Sequence, residues 1–476
     1  MFWDFENIDI NSIALIDDSS DRQLTYSELT KYCLQISEQI NFNGKKLAFL
    51  FCDNSIESVI AYLSILRSGN AVFLVNTKMD DSLKETLLKI YLPEIVFSID
   101  EINYLMEDYI QEDINGKVSF FKRKNFSGFI SPHKDLAVLL STSGTTGSPK
   151  LVRLSYKNIQ SNAESIAKYL SIDENERPIT SLPMSYSFGL SVINSHLQKG
   201  AKIVCSNKSM VMRDFWNTFN QKGCTSFSGV PYNYQMLKRL KFDTMEIPTL
   251  RTMTQAGGRL SEEFIKYFIE TSKKKNIRFF VMYGQTEASP RISYVPSEKL
   301  ENKISSIGIS IPGGKIKIFD DDREITSPDT LGELVYSGDN VMIGYAESRS
   351  DLSKGDELSG ILHTGDLAYK DEEGYFYITG RLKRFIKLFG LRVNLDEVEK
   401  LIENEFGCAA ACYGSDDMLK VMLQSSNTAL GENAKRKIID TYKIHHSVVT
   451  VFSVDSIPVT SSGKKDYKLI QNLEIR

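Results

Sequence analysis

Ten residues with unusual chemistry, "STSGTTGSPK", occupy positions 141–150. Six hydroxyl side chains stand in this stretch. Five of them, with two glycines and a lysine, are candidate ligand contacts: Ser141, Thr142, Ser143, Thr145 and Thr146, with Gly144, Gly147 and Lys150. Glycine lets a backbone turn with positive φ and approach a ligand closely, and successive N–H groups in such a turn form an anion-binding concavity. With hydroxyl donors and one cation added, the stretch is suited to bind a polyphosphate. The alternative is a flexible surface loop.

The position of this stretch favours a binding loop over a linker. The apolar run "DLAVLL" before it predicts a buried strand, and "SYKNIQSNAESIAKYL" after it predicts a helix that begins at Ser155. We therefore expect the loop to connect a strand to a helix. It is not a Walker A loop, which requires G-x-x-x-x-G-K-[ST], because its glycines stand three apart and its lysine follows proline.

Other small polar motifs also lie at the ends of predicted strands. They are "QAGGRL" (255–260), "VMYGQTEA" (281–288) and "LHTGDLAY" (362–369). Ligands of open α/β sheets bind beyond the carboxyl ends of the strands, so we expect the glycine-rich loops and "YGQTE" to line one crevice. An anion-binding loop, an aromatic ring, a carboxylate for a cation and an aspartate suited to a diol together indicate a nucleoside triphosphate with Mg²⁺.

The elements that must position these motifs belong to an α/β protein. Helical and strand patterns alternate to about residue 300, which predicts parallel sheets covered by helices on both faces. "GKIKIF", "GELVYS" and "YFYITG" then predict a small antiparallel β subdomain, such as a barrel. The last 90 or so residues predict a small α+β unit, in which Asn394 caps a helix. We predict one domain at 1–380 and a second at 381–476.

Composition and charge narrow the class of protein. The 476-residue chain is 42% hydrophobic and 25% charged, with a net charge of −4, so no basic field points to nucleic acid. Six scattered cysteines show no zinc-like spacing, and so few in a long chain fit a reducing compartment. We see neither a signal peptide nor an apolar run near the ~20 residues that a membrane helix needs. We expect a cytoplasmic protein without membrane insertion.

Five motifs together resemble those of a known superfamily. "STSGTTGSPK", "YGQTE", "TGD", "GRLKRFIK…G" and "PVTSSGK" follow one another over essentially the whole chain. In them the sequence resembles the adenylate-forming enzymes, which include acyl-CoA synthetases, adenylation domains of peptide synthetases, and luciferase. The resemblance implies a large N-terminal domain of two αβ-layered sheets plus a β subdomain. It also implies a small mobile C-terminal domain with its hinge at Lys383.

The resemblance further implies an activity. A carboxylic acid would react with ATP, in the presence of Mg²⁺, to give acyl-AMP and pyrophosphate. The acyl group would then pass to a thiol, either that of coenzyme A or that of phosphopantetheine on a carrier protein. The expected partners are thus a small carboxylic acid and, with the second acceptor, an acyl carrier protein.

Individual residues receive roles from the same resemblance. The 141–150 loop would bind the β- and γ-phosphates of ATP, while Thr286 and Glu287 would position the phosphates and Mg²⁺. Lys464 would bridge the substrate carboxylate and the α-phosphate. The remaining assignments place Tyr283, Ala256 and Gly257 at adenine, Asp366 and Arg381 at ribose, and Tyr186, Ser228, Gly258 and Val281 at the acyl substrate.

Several of these residues also have ordinary structural interpretations. Lys464 could be a solvated lysine, Glu287 a residue beside a helix start, and Asp366 a turn residue. Arg291 in "ASPRISY" could be a surface cation or could face the substrate, and the sequence does not decide between them. His196 is expected to pack within a helix rather than to take part in catalysis.

The sequence departs from its relatives at the predicted acyl site. "LPMSYSFGLS" has Ser185 and Tyr186 where relatives often carry an aromatic residue followed by histidine, and Tyr156 replaces a second common histidine. The same segment lacks the aspartate that amino-acid-activating relatives place against the α-ammonium. We therefore expect an acid without an α-ammonium group.

Two alternative functions are retained. One is amino-acid adenylation for a carrier protein. The other is a non-catalytic nucleotide or acyl binder, which is disfavoured because four charged motif residues are all present: Glu287, Asp366, Arg381 and Lys464.

Overall fold

The computed structural model describes residues 1–99, 108–112, 119–126, 128–141, 150–382, 384–388, 391–415, 417–460 and 464–473. Its chain forms two compact units. The first unit comprises Met1–Lys315 and Tyr336–Leu362, and the second comprises Ile316–Val335 and His363–Arg476. The predictions for Thr142, Ser143, Gly144, Thr145, Thr146, Gly147 and Lys383 fall outside the described residues.

Strands and helices alternate through most of the first unit. The strands and helices given next are those of both units, in chain order. The strands are β1 (Ile13–Asp17), β2 (Gln23–Thr25), β3 (Leu47–Cys52), β4 (Ala71–Asn76), β5 (Ile95–Ser98), β6 (Tyr109–Glu112), β7 (Ser119–Arg123), β8 (Leu136–Ser141), β9 (Leu151–Ser155), β10 (Ile203–Cys205), β11 (Ser226–Gly229), β12 (Thr252–Gln255), β13 (Arg278–Gly284), β14 (Arg291–Val295), β15 (Ile309–Ser310), β16 (Lys315–Asp320), β17 (Arg323–Ile325), β18 (Gly332–Ser337), β19 (Gly344–Ala346), β20 (Ile361–Lys370), β21 (Phe376–Arg381), β22 (Phe385–Leu388), β23 (Leu391–Asn394), β24 (Ala410–Ser415), β25 (Met418–Gln424) and β26 (Val449–Val454). The helices are α1 (Tyr26–Gln39), α2 (Ile56–Arg67), α3 (Asp81–Tyr91), α4 (Tyr156–Tyr169), α5 (Ser187–Leu197), α6 (Arg213–Gln221), α7 (Pro231–Arg239), α8 (Glu262–Lys275), α9 (Leu395–Phe406), α10 (Thr428–Tyr442) and α11 (Tyr467–Asn472).

The larger sheet of the first unit has helices on both faces, as the alternation predicts. Its order is β19-β9-β8-β4-β3-β5-β7-β6, and β3 pairs in parallel with both β4 and β5. Every residue of β3 is buried, but successive residues enter different cores. Ala48, Leu50 and Cys52 pack with α1 and α2, whereas Leu47, Phe49 and Phe51 pack with α3. Burial on both faces explains why this strand reads as one continuous apolar run.

The second large sheet, with the order β11-β12-β13-β14-β15, has two chemically different faces. Phe227 on β11 stands beside Met253 on β12, and the Phe227 ring centroid lies 5.5 Å from that of Trp216 in an aromatic core. The residues on the other face of these two strands are hydroxylic, because side chains alternate along a strand. Ser228 and Thr254 stand side by side in register there. A buried row of hydroxyl groups requires hydrogen-bond partners.

One local expectation at the predicted phosphate loop is wrong. Ser155 does cap α4, since its side chain accepts a hydrogen bond from the Asn158 amide. However, the segment "LVRLS" directly after the loop forms β9, which pairs with β8 in antiparallel fashion, Ser141 opposite Leu151. The loop therefore connects two strands rather than a strand and a helix. β9 also pairs with β19 on its other side, so tertiary pairing stabilises a strand too short to stand out in the sequence.

The second unit contains an open β-sheet and a small α+β fold. The sheet order is β17-β16-β18-β20-β21, and in the described residues its two edge strands do not pair, so the suggestion of a barrel is wrong. The α+β part has the sheet β24-β25-β26, and Asn394 caps α9 as expected, with its Oδ1 2.9 Å from the Asp396 amide. The predicted α/β class is confirmed. The domain boundary at 380/381 stays a prediction.

A buried carboxylate organises the C-terminal residues. The Glu399 side chain, 6% exposed, accepts hydrogen bonds from Arg384 at 2.6 Å, Lys465 at 2.7 Å and Tyr467 at 2.8 Å. Burial acts to lower the pKa of Lys465, but the carboxylates of Glu399 and Glu403 raise it above the ordinary value. Removing one member of a buried ion pair leaves an uncompensated charge. Lys465 is therefore a structural residue that fixes the segment carrying Lys464.

Among the described helices, none is long and apolar enough to cross a lipid bilayer.

Candidate active site

The motif "YGQTEASPR" folds back on itself between two paired strands. β13 ends at Gly284, a short 3₁₀ turn covers Thr286–Ala288, and β14 begins at Arg291 opposite Gly284. A Cβ atom on Gly284 would lie 1.8 Å from the Pro290 carbonyl oxygen, so only glycine permits this approach. The turn buries Thr286, whose Oγ1 lies 3.1 Å from Ser187 Oγ at the start of α5.

A tyrosine that the sequence analysis missed joins Glu287 to the end of the predicted phosphate loop. Tyr345 Oη donates a hydrogen bond of 2.9 Å to Glu287 Oε1. Lys150 Nζ lies 3.8 Å from the centroid of the same tyrosine ring, a cation–π contact. Burial raises the pKa of Tyr345, and the negative charge of Glu287 raises it further. Tyr345 lies on the three-residue strand β19, which pairs with β9, and nothing in the local sequence marks it.

The donor set at Glu287 fits a magnesium ion that binds together with a nucleotide. Proteins usually bind such Mg²⁺ through one or two carboxylates, and substrate phosphates complete the shell. Glu287 supplies one carboxylate, oriented by Tyr345, beside the Thr286 hydroxyl. An oriented ligand of this kind is typical of metal sites, where a hydrogen bond from a neighbouring side chain fixes the direction in which the ligand points.

The predicted adenine-binding segment follows β12. Ala256 is buried, and Gly257 has a φ of +84°. A Cβ atom on Gly257 would lie 2.8 Å from Tyr186 Oη and 3.1 Å from the Val230 side chain. Both the conformation and the space therefore require glycine at 257. Tyr186 packs over this glycine, and burial raises the pKa of its phenol.

The structure gives the positions of Tyr283 and Gly258 but does not test their predicted roles. Tyr283, the predicted adenine neighbour, is half-buried on β13. A Cβ atom on Gly258 would meet the Pro231 ring at 3.1 Å. The stacking role of Tyr283 and the substrate role of Gly258 stay predictions.

A cavity lies against the hydroxyl face of the second large sheet, beneath α4 and α5. The space between these elements, counted with the part that opens to solvent, is about 420 Å³, of which about 20 Å³ can hold the centre of a water molecule. Its lining includes Phe188, His196, Ser228, Thr254, Met282 and Arg291. Ser228 Oγ and Thr254 Oγ1 lie 2.8 Å apart in a hydrogen bond. The predicted substrate residue Ser228 thus lines the cavity. Val281 does not, because it lies on the opposite face of β13 from Met282.

Arg291 and His196, for which the sequence also offers ordinary structural interpretations, both line this cavity. Arg291 is 2% exposed, so its interpretation as a surface cation is wrong. His196 is buried within α5, and its Nδ1 lies 2.7 Å from the Val192 carbonyl oxygen. Burial lowers the pKa of His196 to about 4. It is therefore a neutral packing residue, as expected.

The second unit brings together the two residues predicted at ribose. Asp366 on β20 pairs in register with Arg381 on β21, and Arg381 Nε donates to Asp366 Oδ1 at 3.0 Å. The aspartate side chain is 8% exposed and that of the arginine 65%. A mostly buried carboxylate is thus held beside an accessible guanidinium, an arrangement that suits a diol.

Lys464 follows a tight turn in the second unit. Its backbone amide donates to Thr460 Oγ1 at 3.3 Å, and its carbonyl oxygen accepts from the Thr460 amide at 2.7 Å. The side chain of Lys464 is half-buried. The turn and the half-buried, ion-paired Lys465 next to it determine where Lys464 leaves the backbone.

Comparison with known proteins shows the family to which the chain belongs. Residues 7–346 match the family model described as AMP-binding enzyme. A 2-succinylbenzoate–CoA ligase of Bacillus velezensis is 28% identical over 471 residues, which cover 95% of this chain and 93% of that protein. YngI of Bacillus subtilis is 30% identical over 342 residues, but these span only 62% of that protein and 69% of this chain.

Solved structures show the same fold. The o-succinylbenzoate CoA synthetase of Bacillus subtilis, in complex with the acyl-adenylate OSB-AMP, has a TM-score of 0.78 at 23% identity. The match covers 99% of this chain and 98% of that one. An anthranilate CoA ligase in complex with anthranoyl-AMP has a TM-score of 0.75 at 18% identity, covering 99% and 95% of the two chains.

The family match over residues 7–346 and the shared mixed α/β fold identify the class of protein. The chain belongs to the AMP-binding enzyme family. Membership places it among the AMP-forming ligases that use ATP and magnesium to activate a carboxylic acid for transfer to a thiol.

Substitution of Glu287 tests its placement at the magnesium–nucleotide site. We expect Glu287→Gln to lower ATP–pyrophosphate exchange by ~10² or more, since it removes a fixed charge at the phosphates. The magnesium concentration needed for half-maximal exchange should rise as well. Glu347→Gln is the matched control, because Glu347 is 68% exposed and lies 4.0 Å from the same Lys150. Equal losses in the two variants would contradict the assignment of Glu287.

Proposed function

We propose that this chain converts a small carboxylic acid without an α-ammonium group into its coenzyme A thioester, through an acyl-AMP. The observation that carries the proposal is the continuity between the nucleotide motif and the cavity. Thr286 is hydrogen-bonded to Ser187, the first residue of α5, and the next residue of that helix, Phe188, lines the cavity. An acid in the cavity would thus lie beside the phosphates of ATP.

The charges of the cavity support an acid that lacks an ammonium group. Arg291 contributes a buried positive charge to the lining, which disfavours a cationic ligand. Glu176 also lines the cavity, but its carboxylate lies 3.7 Å from Arg278 and accepts a hydrogen bond from Thr225. Because Arg278 and Thr225 already interact with the Glu176 carboxylate, that carboxylate is poorly suited to bind an α-ammonium group.

The first half-reaction forms a mixed anhydride. A carboxylate oxygen attacks the α-phosphorus, and pyrophosphate leaves with the electron pair of the broken P–O bond. Negative charge develops on the phosphoryl oxygens, so fixed cations and hydrogen-bond donors are expected to carry most of the rate enhancement. We assign this role to Lys464, Lys150 and the hydroxyl groups of the 141–147 segment. Magnesium bound at Glu287 supplies further neutralisation of the phosphates.

The second half-reaction transfers the acyl group. The sulfur of the thiol attacks the acyl carbon, AMP leaves with its oxygen, and the thiol proton passes to solvent. We propose coenzyme A as the acceptor, supported by the coenzyme A ligases among the relatives. A carrier-protein phosphopantetheine is the alternative. Since the two steps need different groups at one site, we also propose that the residues after Lys383 rotate between them.

The remaining roles follow the same scheme. We propose that Ala256, Gly257 and Tyr283 contact adenine, and that Asp366 with Arg381 binds ribose. We also propose a cytoplasmic location, supported by six unpaired cysteines, because disulfides are rare in reducing compartments.

A substrate screen tests the proposed function. ATP–pyrophosphate exchange would be measured with aryl, alkyl and hydroxy acids and with the proteinogenic amino acids. The panel would include 2-succinylbenzoate, 4-coumarate and oxalate, the acids in the names of relatives. We expect an acid without an α-ammonium to stimulate exchange at least about tenfold more than any amino acid. The reason is that the side chains lining the cavity carry a net positive charge and offer no free carboxylate to an ammonium group.

The outcomes of the screen separate the three candidate functions. If the addition of coenzyme A to the reaction, without any carrier protein, is enough to release AMP, then coenzyme A is the acyl acceptor. Strong exchange with one amino acid, and none with the other acids, would support amino-acid activation instead. A protein that binds ATP but shows no exchange with any acid would be a non-catalytic binder.

The role of Lys464 is tested by measuring the two half-reactions separately. We expect Lys464→Ala to lower adenylate formation by ~10²–10³, as for loss of one charge-stabilising donor. Thioester formation from supplied acyl-AMP should be retained, because the α-phosphate has by then already reacted. Equal losses in both steps would contradict the assignment.

The control for Lys464 must avoid its neighbour. Lys465→Ala is unsuitable, since it would strip a partner from the buried Glu399 carboxylate. Arg436→Ala is the better control, because it removes a positive charge from an exposed position on α10 in the same unit.

A further inference from the structure

Arg291 is a buried cation that has no carboxylate partner among the residues that the structure describes. Its side chain is 2% exposed and lines the cavity. Its Nε makes no hydrogen bond, and none of the described carboxylates forms an ion pair with it. Charged groups are rarely buried unless they are paired.

The other buried arginines of the first unit show how this fold normally treats such a charge. Arg349 forms hydrogen bonds of 2.5 and 3.0 Å with the two oxygens of Glu94, and it donates to backbone carbonyls as well. Arg153 pairs with Glu357 and donates to the carbonyl oxygens of Tyr345 and Ile343. Each of these arginines therefore has a carboxylate and several carbonyl oxygens. In the described part of the chain Arg291 has neither, although it is at least as deeply buried as Arg349.

The immediate neighbours of Arg291 are aromatic and neutral. The guanidinium lies 4.6 Å from the centroid of the Phe188 ring, a cation–π contact. It also interacts with the Tyr169 phenol, whose pKa burial raises to about 12 and which is therefore uncharged at neutral pH. Neither side chain carries a negative charge. The cavity leaves a second polar atom without a partner, since Ser226 Oγ also makes no hydrogen bond.

We propose that the acid activated by this chain carries a second carboxylate, distal to the reacting one, which pairs with Arg291 in the cavity. The substrate would thus be a dicarboxylic acid. The proposal rests on the proposed function, in which the cavity holds the acyl group. A guanidinium is suited to a carboxylate because its planar fork can donate two parallel hydrogen bonds. The hydroxyl groups of Ser226 and Ser228, on the same wall, offer further donors.

The test compares each dicarboxylic acid with an analogue that differs by one charge. The probes are succinate, glutarate, adipate, phthalate and 2-succinylbenzoate, each paired with its monomethyl ester. We expect at least one diacid to support ATP–pyrophosphate exchange with a kcat/KM ~10² or more above that of its ester. A site built to bind a polar group discriminates strongly against an analogue that lacks it.

Substitution of Arg291 should abolish this preference rather than the reaction. In Arg291→Gln we expect kcat/KM for the diacid to fall to about the value of the ester, while the ester changes by less than about threefold. Arg291→Lys, which keeps the charge, should retain part of the preference. Arg239→Gln is the control, because Arg239 is an exposed arginine on α7 of the same unit. It should leave the ratio unchanged.

Three results would overturn the proposal. The first is a wild-type enzyme that uses monocarboxylic acids or esters at least as well as the diacids. The second is equal loss for diacid and ester in a folded Arg291→Gln protein, which would place Arg291 at the reacting groups. The third is equal loss of the preference in Arg239→Gln. Thermal unfolding of each variant establishes that it is folded.

Direct binding separates failure of the proposal from failure of the proposed function. Isothermal titration of the diacids into the wild-type protein, with a non-hydrolysable ATP analogue present, needs no turnover. Binding of a diacid that is lost in Arg291→Gln, with no exchange for any acid, would uphold the pairing and reject the ligase. Exchange with monocarboxylic acids alone would uphold the ligase and reject the pairing.

Discussion

An acyl-adenylate site must bring two anions, a carboxylate and a triphosphate, into contact where little water remains to screen them. Their repulsion in such a place is far stronger than in bulk solvent, so positive charges and donors must be fixed in advance. The first unit supplies Lys150 close to Glu287, with Tyr345 between them. Within the second unit, the buried Glu399 anchors Lys465, the neighbour of Lys464. Much of the local packing described above serves to fix the positions of a few charges.

The same constraint explains the two faces of the sheet that carries the cavity. One face of β11 and β12 packs aromatic side chains, as an ordinary core does. The other keeps a row of hydroxyl groups and the Arg291 guanidinium buried. A protein interior normally avoids such groups, because burial without partners destabilises the folded state. Their presence on one wall of a cavity is therefore better explained by a ligand than by stability.

Much of the fold could be predicted from the sequence, because hydrophobic periodicity and strand-end motifs are local signals. The continuous apolar run of β3 indicates a strand buried on both faces, and the Asn394 and Ser155 caps lie where the sequence places them. The sequence does not reveal β9, since a five-residue strand depends on partners that are distant in the chain. Strand patterns also do not reveal whether the edges of a sheet meet, so they suggest a barrel where the second unit has an open sheet.

The candidate site was predictable only in part. The glycine at 257 and the pair Asp366–Arg381 lie in motifs whose spacing is visible in the sequence. Tyr345 was not predictable, since it reaches Glu287 only through strand pairing in the folded chain. The hydroxyl wall did leave a signal, because "TSFS" and "TMT" alternate hydroxyl and apolar residues as a strand with two buried faces would. The sequence carries no such signal for Arg291, because the burial of its side chain depends on α4 and α5, which lie over the sheet only in the folded chain.

Formation of an acyl-AMP is the central claim, and isotope transfer tests it most directly. The substrate acid would be labelled with ¹⁸O in its carboxylate, allowed to react with ATP and coenzyme A, and the products would be analysed by mass spectrometry. Because a carboxylate oxygen attacks the α-phosphorus and stays with the nucleotide when the thiol takes the acyl group, AMP should contain one ¹⁸O atom. Unlabelled AMP, or ADP together with labelled orthophosphate, would contradict this account.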